Sequence, residues 1–464
     1  MMDLERLVAA LGAVEVVGRA PVEVRDLAYD ARAVMPGALF FCVPGARADG
    51  HDFAPDAVER GATALVVERP LELAVPQVVV RDARASMAVA ADEFFGRPTQ
   101  ELAVAGVTGT SGKTTTAFLL YAILAAAGRR PGLLGTVEAR VGGERRGVVR
   151  TTPEAIDLQR TFREMLDAGD RSCAMEASSH ASQLHRLDRV RFAALVFTNL
   201  SQDHLDFHGD MESYFEAKRR LFVTGSPPAA VNVGDEYGRR LAAELPDALT
   251  FGFAPDAAIG PAALEGVELK LRGRFNVENA LAALAAARLL GIDDAAIARG
   301  LESVRGVPGR FESVEEGQPF TVVVDYAHKP DALENVLRAA RELARGRVIC
   351  VVGAGGDRDR GKRPLMGRLA SELADVAIVT SDNPRSEDPQ AIIDEIVAGA
   401  VGEVEVEPDR AAAIARAVEL AREGDVVLIA GKGAEQGQQL ADRTIPFDDR
   451  EAAREALRTL GACA

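Results

Sequence analysis

The chain of 464 residues contains no tryptophan, and aromatic residues make up only 5% of it. We read this as a compositional bias of the source genome rather than as function, and with hydrophobic residues at 48% there is enough material for several cores. Cysteine is scarce. Cys42, Cys173, Cys350 and Cys463 lie far apart with no metal-ligand spacing, and three of them stand in apolar or strand-like runs, as buried thiols do. Positive charge is in deficit, with 54 Lys and Arg against 70 Asp and Glu for a net charge of −16. That balance argues against nucleic-acid binding and against polybasic attachment to a membrane. No apolar run approaches the ~20 residues that span a bilayer. The start, Met1-Met2-Asp3-Leu4-Glu5-Arg6, is charged and lacks a signal-peptide core. These absences lead us to expect a soluble cytoplasmic protein, with no repeat and no low-complexity tract.

What the chain does have is a phosphate-type loop. Gly106-Val-Thr-Gly109-Thr110-Ser111-Gly112-Lys113-Thr114-Thr115-Thr116 follows an apolar run (Leu102 to Val107) and precedes a helix-like run (Ala117 to Ala127). A strand, a glycine turn and a helix start aim backbone N–H groups and the positive end of a helix dipole at one point, which suits a polyphosphate. Lys113 is placed to neutralise outer phosphates, and Thr114 to offer its hydroxyl to Mg²⁺. The strict pattern wants glycine where this chain has Val107, but Gly-Lys-Thr is in place and the reading is nucleotide binding.

The length suggests about three domains at ~150 residues each. Short strands (Ala38 to Val43, Ala64 to Val67, Gln77 to Val80) alternate with helical stretches up to a linker at Phe94 to Pro98. A second unit runs from there through strands ending at Met175, Phe197 and Val233 and a helix from Asn279 to Leu290. The turn-rich Gly306 to Arg310 opens a third, with strands at Thr321 to Val324, Val348 to Val352, Val376 to Val379 and Val426 to Ile429. The fold class is therefore α/β in three domains: a small N-terminal α/β domain (1–98), a central P-loop domain with a mostly parallel sheet (99–305) and a C-terminal Rossmann-like domain (306–464). Polar motifs sit at the carboxyl ends of these strands, where open α/β sheets bind ligands, so those of the second and third domains could share one cleft.

Glu176, in Met175-Glu176-Ala-Ser178-Ser179-His180, is a carboxylate at a strand end near the phosphate loop. It suits a Mg²⁺ ligand or a water-positioning group, though a solvated loop acid would look the same. Thr198 to Gly209 gathers two of the chain's six histidines, His204 and His208, among Asp203 and Asp206, a mixture able to bind a divalent cation. In the helix that follows, capped by Asp210, the helical period places Lys218 inside the apolar stripe of Tyr214, Phe215, Leu221 and Phe222. A lysine there must pair, become neutral, snorkel or be modified, and a carbamate on it would be an anion able to hold Mg²⁺. Further on come the charged loop Gly355 to Pro364 and Asp382-Asn383-Pro384-Arg385, where Arg385 offers a planar fork for a carboxylate. Glu435, after Gly431-Lys432-Gly433, offers the opposite charge, so the two together complement an amino acid. Taken singly, each is more commonly a surface ion pair.

With these residues assembled, the chain resembles the Mur ligase family along nearly its whole length. The resemblance is carried by Gly109 to Thr115, Glu176 to His180, Asn199 to Gly209, Phe275-Asn276-Val-Glu-Asn279, Pro308-Gly-Arg310-Phe-Glu312, Asp325-Tyr-Ala-His328-Lys-Pro-Asp331, Gly355 to Pro364 and Asp382 to Arg385. It implies an ATP- and Mg²⁺-dependent ligase of peptidoglycan precursor synthesis that joins meso-2,6-diaminopimelate to the D-glutamate of UDP-N-acetylmuramoyl-L-alanyl-D-glutamate. The first domain would hold the UDP part, the second ATP and the third the amino acid, and the enzyme would act as a monomer. By motif position, Gly109 to Thr115, Asn276, Asn279, Arg310, Asp325 and His328 would contact ATP. Ala31, Arg32, Thr151, Thr152, Ser178 and Arg186 would contact the UDP substrate. Arg358, Asp382, Asn383, Pro384, Arg385, Gly431 and Glu435 would line the amino-acid pocket. Lys113, Glu176, His204 and a carbamylated Lys218 would carry catalysis, the last three with Thr114 around the cations.

The Asp-Asn-Pro-Arg pattern goes with diaminopimelate in this family, and the chemistry agrees, since its distal carboxylate needs a cation that would repel lysine. Three departures stand out: Ala31 where the family has serine, Leu184 where it has glutamine, and Ala434 where it has histidine. They loosen contacts in the UDP and amino-acid pockets and leave the phosphate loop untouched. The expected chemistry is transfer of the γ-phosphate to a carboxylate, then attack by an amine that His204, His328 or Glu435 could deprotonate. A lysine-adding ligase, a folylpolyglutamate-type ligase and a non-catalytic nucleotide switch are the rivals.

Overall fold

The computed structural model describes residues 1–18, 21–45 and 48–463, the side chains of residues 462 and 463 excepted. The chain folds around three main sheets. The first has five strands in the order Glu15–Val17, Gln77–Val79, Ala62–Val67, Ala38–Phe41 and Asp26–Ala28, parallel except at the Glu15–Val17 edge. The second has eight, in the order Glu144–Arg146, Ala139–Val141, Pro131–Leu134, Ser172–Glu176, Ala103–Thr108, Phe192–Phe197, Ala229–Asn232 and Leu249–Phe251. Its last six strands are parallel, and Ala139–Arg146 adds an antiparallel hairpin at one edge. The third has six, in the order Glu312–Val314, Thr321–Asp325, Val426–Ala430, Val348–Val352, Val376–Val379 and Glu405–Val406, parallel beyond the first.

Each sheet is covered on both faces, as continuous β-branched strands require. In the second sheet, Val107, Ala174 and Val196 point to one core with the helices Lys113–Ala126 and Arg274–Leu289. Val104, Met175 and Phe197 point to the other, with Ala155–Asp167 and Met211–Val223. The alanine-rich helix Arg274–Leu289 buries ten residues and lies close against Lys113–Ala126, because small side chains permit close approach. Cys42, Cys173 and Cys350 are free and buried, and burial raises all three thiols well above the ordinary range. The side chain of Cys463 lies outside the described residues. No helix among the described residues is long and apolar enough to cross a membrane.

Several elements differ from the sequence expectation. The phosphate-loop helix begins at Lys113 rather than Ala117, because Thr114, Thr115 and Thr116 are buried in it and not left in the turn. The long alanine-rich helix begins at Arg274, five residues before Asn279. The hairpins Ala139–Arg146 and Gly437–Pro446 were not foreseen: the Glu144–Arg146 strand is fully exposed and carries no apolar alternation.

Candidate active site

The strand Ala103–Thr108 leads into the phosphate loop, and Val107 explains the departure from the strict motif. It lies inside the strand, fully buried, and the loop turns only at Gly109. Gly109 (φ +147°) leaves no room for a side chain, since a Cβ there would stand 1.9 Å from Thr198 Oγ1. The adjoining strand end ties the loop down: Thr198 Oγ1 donates to Ser111 O (2.7 Å), and Ser111 N donates to Asn199 Oδ1 (2.8 Å). Asn276 is buried and does not face the cavity. It accepts from Asn279 Nδ2 (3.1 Å), and Asn279 in turn packs against Gly112.

Lys113 and Lys218 both donate to the Gly109 carbonyl, each at 2.9 Å. Burial pulls Lys113 down to about 8. Lys218 is 1% exposed, its ammonium over the Tyr214 ring at 4.6 Å, and no carboxylate pairs with it among the described residues. Burial, then Lys113 and Lys329, drives its proton affinity well below the lysine range. It therefore neither snorkels nor pairs with a carboxylate, and burial beside the phosphate loop disfavours its charged form. Its neighbours Arg219 and Arg220 pair elsewhere, with Glu244 and Asp188.

Around these lysines lies a cavity of about 660 Å³. Thr110, Ser111, Gly112, Thr114 and Thr115 form its floor, and Asn279, Arg310, Asp325 and His328 line it from the nucleotide side expected by sequence. Arg310 Nη2 donates to Thr114 Oγ1 (3.2 Å). Asp325 accepts from Phe311 N (2.7 Å), and burial raises its carboxyl to about 6. His204 and His328 are pushed down by burial to about 3 and about 4, so both rings are neutral at pH 7. His180 stacks on Phe207 and meets His204 edge-on, so the histidines form one aromatic wall.

Glu176 faces the cavity, fixed by Thr136 N (2.7 Å) and Thr136 Oγ1 (3.1 Å). Among the described residues no three His, Cys, Asp or Glu side chains gather as a self-sufficient metal cage. The oxygen donors present, Thr114 and Glu176, still suit Mg²⁺, which takes one or two carboxylates and fills its shell with phosphates and water.

Thr151, Thr152, Ser178 and Arg186 line the same cavity. Thr152 Oγ1 donates to the Glu176 carbonyl (2.8 Å), and Arg186 donates to Thr152 O (3.0 Å) while pairing with Glu154 (2.7 Å). Glu154 also binds Arg84 of the first unit, so this corner is the joint between the two units. Arg186 Nε is buried with no partner, a spare donor at the cavity wall. Ala31 and Arg32 are not brought to the cavity. Ala31 starts a short 3-10 turn in the first unit, and Arg32 is 87% exposed, pairing with Asp30. Leu184, at the second departure noted above, does line the cavity, while Gln183 is exposed.

Of the amino-acid set only Arg358 reaches the cavity. Asp382, Asn383, Pro384, Arg385, Gly431 and Glu435 follow the ends of two third-sheet strands separated by Val348–Val352 and form an adjoining cluster. Asn383 donates to Glu435 (2.8 Å), buried Lys432 donates to both, and Arg385 donates to Gly356 O (2.7 Å) and Gln439 Oε1 (3.2 Å). The strand carrying Arg385 is three places along the sheet from the one ending at Asp325, roughly 14 Å at the usual strand spacing.

Sequence reasoning placed Asp203 only in a possible cation-binding cluster and missed Lys329 as a site residue. Lys329 Nζ donates to Ser111 Oγ (3.2 Å) and lies 3.5 Å from Asp203. Burial alone would raise the Asp203 carboxyl, but the charges of Lys329 and then His204 hold it far below its ordinary range. Neither role could be found along the chain, because each depends on two units meeting.

A phosphate loop in a parallel sheet, facing the strand ends of a second parallel sheet across a polar cavity, defines a nucleotide-using enzyme of two opposed lobes. Family models agree: "Mur ligase family, catalytic domain" matches residues 23–101, "Mur ligase middle domain" 107–287 and "Mur ligase, glutamate ligase domain" 309–433, and the chain belongs to the Mur ligase family. It is similar to the UDP-N-acetylmuramoyl-L-alanyl-D-glutamate–2,6-diaminopimelate ligase of Solibacter usitatus (strain Ellin6076), 49% identical over 95% of each chain. The ligase of the same name from Geobacillus thermodenitrificans (strain NG80-2) is 46% identical, over 98% of this chain and 99% of its own. A solved structure of a ligase of that name is 30% identical, covers 99% of both chains and superposes with a TM-score of 0.68.

Proposed function

We propose that this chain is an ATP-dependent ligase joining meso-2,6-diaminopimelate to the free D-glutamate carboxylate of UDP-N-acetylmuramoyl-L-alanyl-D-glutamate. One observation carries the reading. A single cavity within one chain brings together Lys113 of the phosphate loop, Thr152 and Arg186 at the joint with the first unit, and Arg358 of the third. Residues 1–98 would hold the UDP end, 99–305 ATP and 306–464 the amino acid. The chain would act as a monomer in the cytoplasm.

The steps follow from the groups present. ATP lies with its phosphates on the Gly109–Thr115 loop, Asp325 near the ribose and Asn279 toward the base. Lys113, now clamped on its own carbonyls, turns to the outer phosphates, whose charge raises its proton affinity from about 8. Arg186, with one unspent donor, and Thr152 hold the nucleotide-sugar peptide so that its carboxylate meets the γ-phosphorus in line. Transfer gives an acyl phosphate and ADP. Thr114 and Glu176, with His204 and a carbamylated Lys218 around them, would hold Mg²⁺, which would supply positive charge to offset that of the phosphates. Lys218 is suited to carbamate formation because burial lowers its proton affinity and so favours the unprotonated amine, the form that adds carbon dioxide. The amine of diaminopimelate then displaces phosphate while Arg385 holds its distal carboxylate. His204 and His328, neutral but weakly basic after burial, can only pass the amine's proton onward.

The test offers ATP and the UDP-dipeptide with diaminopimelate, lysine or ornithine in competition. One ADP and one phosphate per amide, with diaminopimelate strongly preferred, is expected. A lysine adduct as the main product, or ATP hydrolysis without an amide, overturns the assignment.

A further inference from the structure

Lys329 breaks a local rule. It occupies the N-cap of the helix Pro330–Leu343, where Ser, Thr, Asp or Asn is favoured, and its side chain makes no capping hydrogen bond. An ammonium group at the positive end of a fourteen-residue helix is unfavourable electrostatically. The position is also buried, with the side chain 7% exposed. A charged residue kept where both the helix dipole and burial oppose it needs a compensating partner.

The partners belong to another unit. Lys329 sits on the third sheet's leading edge, four residues after Asp325, yet its ammonium donates to Ser111 Oγ of the phosphate loop (3.2 Å) and faces Asp203 at 3.5 Å. It lines the cavity with Lys113 and Lys218. Three amines thus converge on one point, with Asp203 and Glu176 the carboxylates whose charge they feel. Of these, Lys113 and Lys329 are the groups that, protonated, suit an entering polyanion. Asp331 accepts from Ser201 Oγ (2.5 Å) beside it, so the same turn carries a hydroxyl–carboxylate clasp as well.

We infer that Lys329 is a catalytic residue delivered by the C-terminal unit, contacting the γ-phosphoryl group while that group passes from ATP to the substrate carboxylate. This rests on the reading that ATP occupies the phosphate loop. In the step, the bond from the γ-phosphorus to the β–γ bridging oxygen breaks and ADP keeps the electron pair. A carboxylate oxygen forms the new bond to phosphorus, and no proton moves. Lys329 stabilises the negative charge on the transferring oxygens, as a cation supplied from a second lobe does in other phosphoryl transfers. The amino-acid-binding unit thereby completes the phosphate site of its neighbour, and phosphoryl transfer waits on docking of the two.

The test compares Lys329→Met and Lys329→Arg with Ser201→Ala, which removes only the hydroxyl–carboxylate clasp. Wild-type ligation in the full mixture must first be observed; its failure would sink the ligase reading itself, separately from the role of Lys329. Given that activity, Lys329→Met is expected to lower kcat at least a hundredfold and to weaken binding of a non-hydrolysable ATP analogue about tenfold. ADP affinity should stay within threefold, and Lys329→Arg should recover part of kcat. Ser201→Ala should stay within tenfold of wild type. Equal loss of ADP and analogue binding, a Ser201→Ala defect matching that of Lys329→Met, or Lys329→Met turning over within threefold of wild type would each overturn the assignment.

Discussion

Two buried groups at the nucleotide site set opposite pH limits. Lys113 is near 8 in the free protein, and an anion binds its protonated form, so affinity for ATP should fall as pH rises through about 8. Asp325 is near 6, and as an acceptor for a ribose hydroxyl it works ionised, so affinity should also fall as pH drops through about 6. Calorimetric titration of ADP across pH 5 to 9.5 should therefore give a plateau between those limits, and Asp325→Asn should flatten the acid limb alone. An acid limb unchanged in Asp325→Asn would refute that assignment. Lys218→Ala should abolish ligation and be partly restored by short carboxylates, and carbon-13 carbonate should give a carbamate signal in the wild type that the variant lacks. Arg385→Ala should raise KM for diaminopimelate roughly 10- to 100-fold, the worth of a charged hydrogen bond, with KM for ATP little changed. An equal rise for both substrates would place Arg385 outside the amino-acid pocket.

Much of this was legible residue by residue, for a physical reason. Lys218 could be singled out because helical periodicity is a local property, and Tyr214, Phe215, Leu221 and Phe222 fix the face on which it falls. The phosphate loop was legible because its glycines and lysine act within seven residues of one another. Lys329 and Asp203 were not, because their meaning arises where distant segments meet. The one local hint was a lysine at a helix N-cap.

At the scale of elements, turns and caps hold the site. The helix Met211–Val223 starts at Asp210, whose side chain accepts from Ser213 N (2.7 Å). Asp210→Ala should destabilise the protein by about 1 kcal/mol in denaturant titration. The effect belongs to the helix that presents Lys218, so ligation should decline with it, and unchanged stability would show the cap to be idle. Gly112 is a stricter case. Its φ of +87° disfavours any side chain, and a Cβ there would approach Asn279 Oδ1 to 2.4 Å. Gly112→Ala should therefore fold but lose nucleotide affinity. The strand order was legible in part: continuous Val and Ile runs marked the parallel centre of each sheet, whereas Glu144–Arg146 and Glu15–Val17 are exposed edge strands whose pairing no local pattern announces.

At the scale of the whole molecule, the central and C-terminal units meet through Arg310 and Thr114, Lys329 and Ser111, and Asp331 and Ser201. Beside these polar contacts Phe275 packs edge-on against Phe311, and the interface must open to admit ATP and close to exclude water from an acyl phosphate. Trypsin should accordingly cut at exposed Arg305, in the connector between the units, faster in Asp331→Asn than in wild type, and more slowly once ATP and the dipeptide are bound. Cleavage indifferent to both would argue for a rigid pair of units.

The acyl phosphate is the point where phosphate loop, nucleotide-sugar peptide and amino acid must coincide, and isotope transfer reads it directly. With oxygen-18 placed in the free glutamate carboxylate of the UDP-dipeptide, each turnover should deliver one labelled oxygen to the phosphate released, alongside an amide to diaminopimelate. Amide formed with unlabelled phosphate would mean that the carboxylate never bonded to phosphorus, and would contradict the proposed chemistry at its centre.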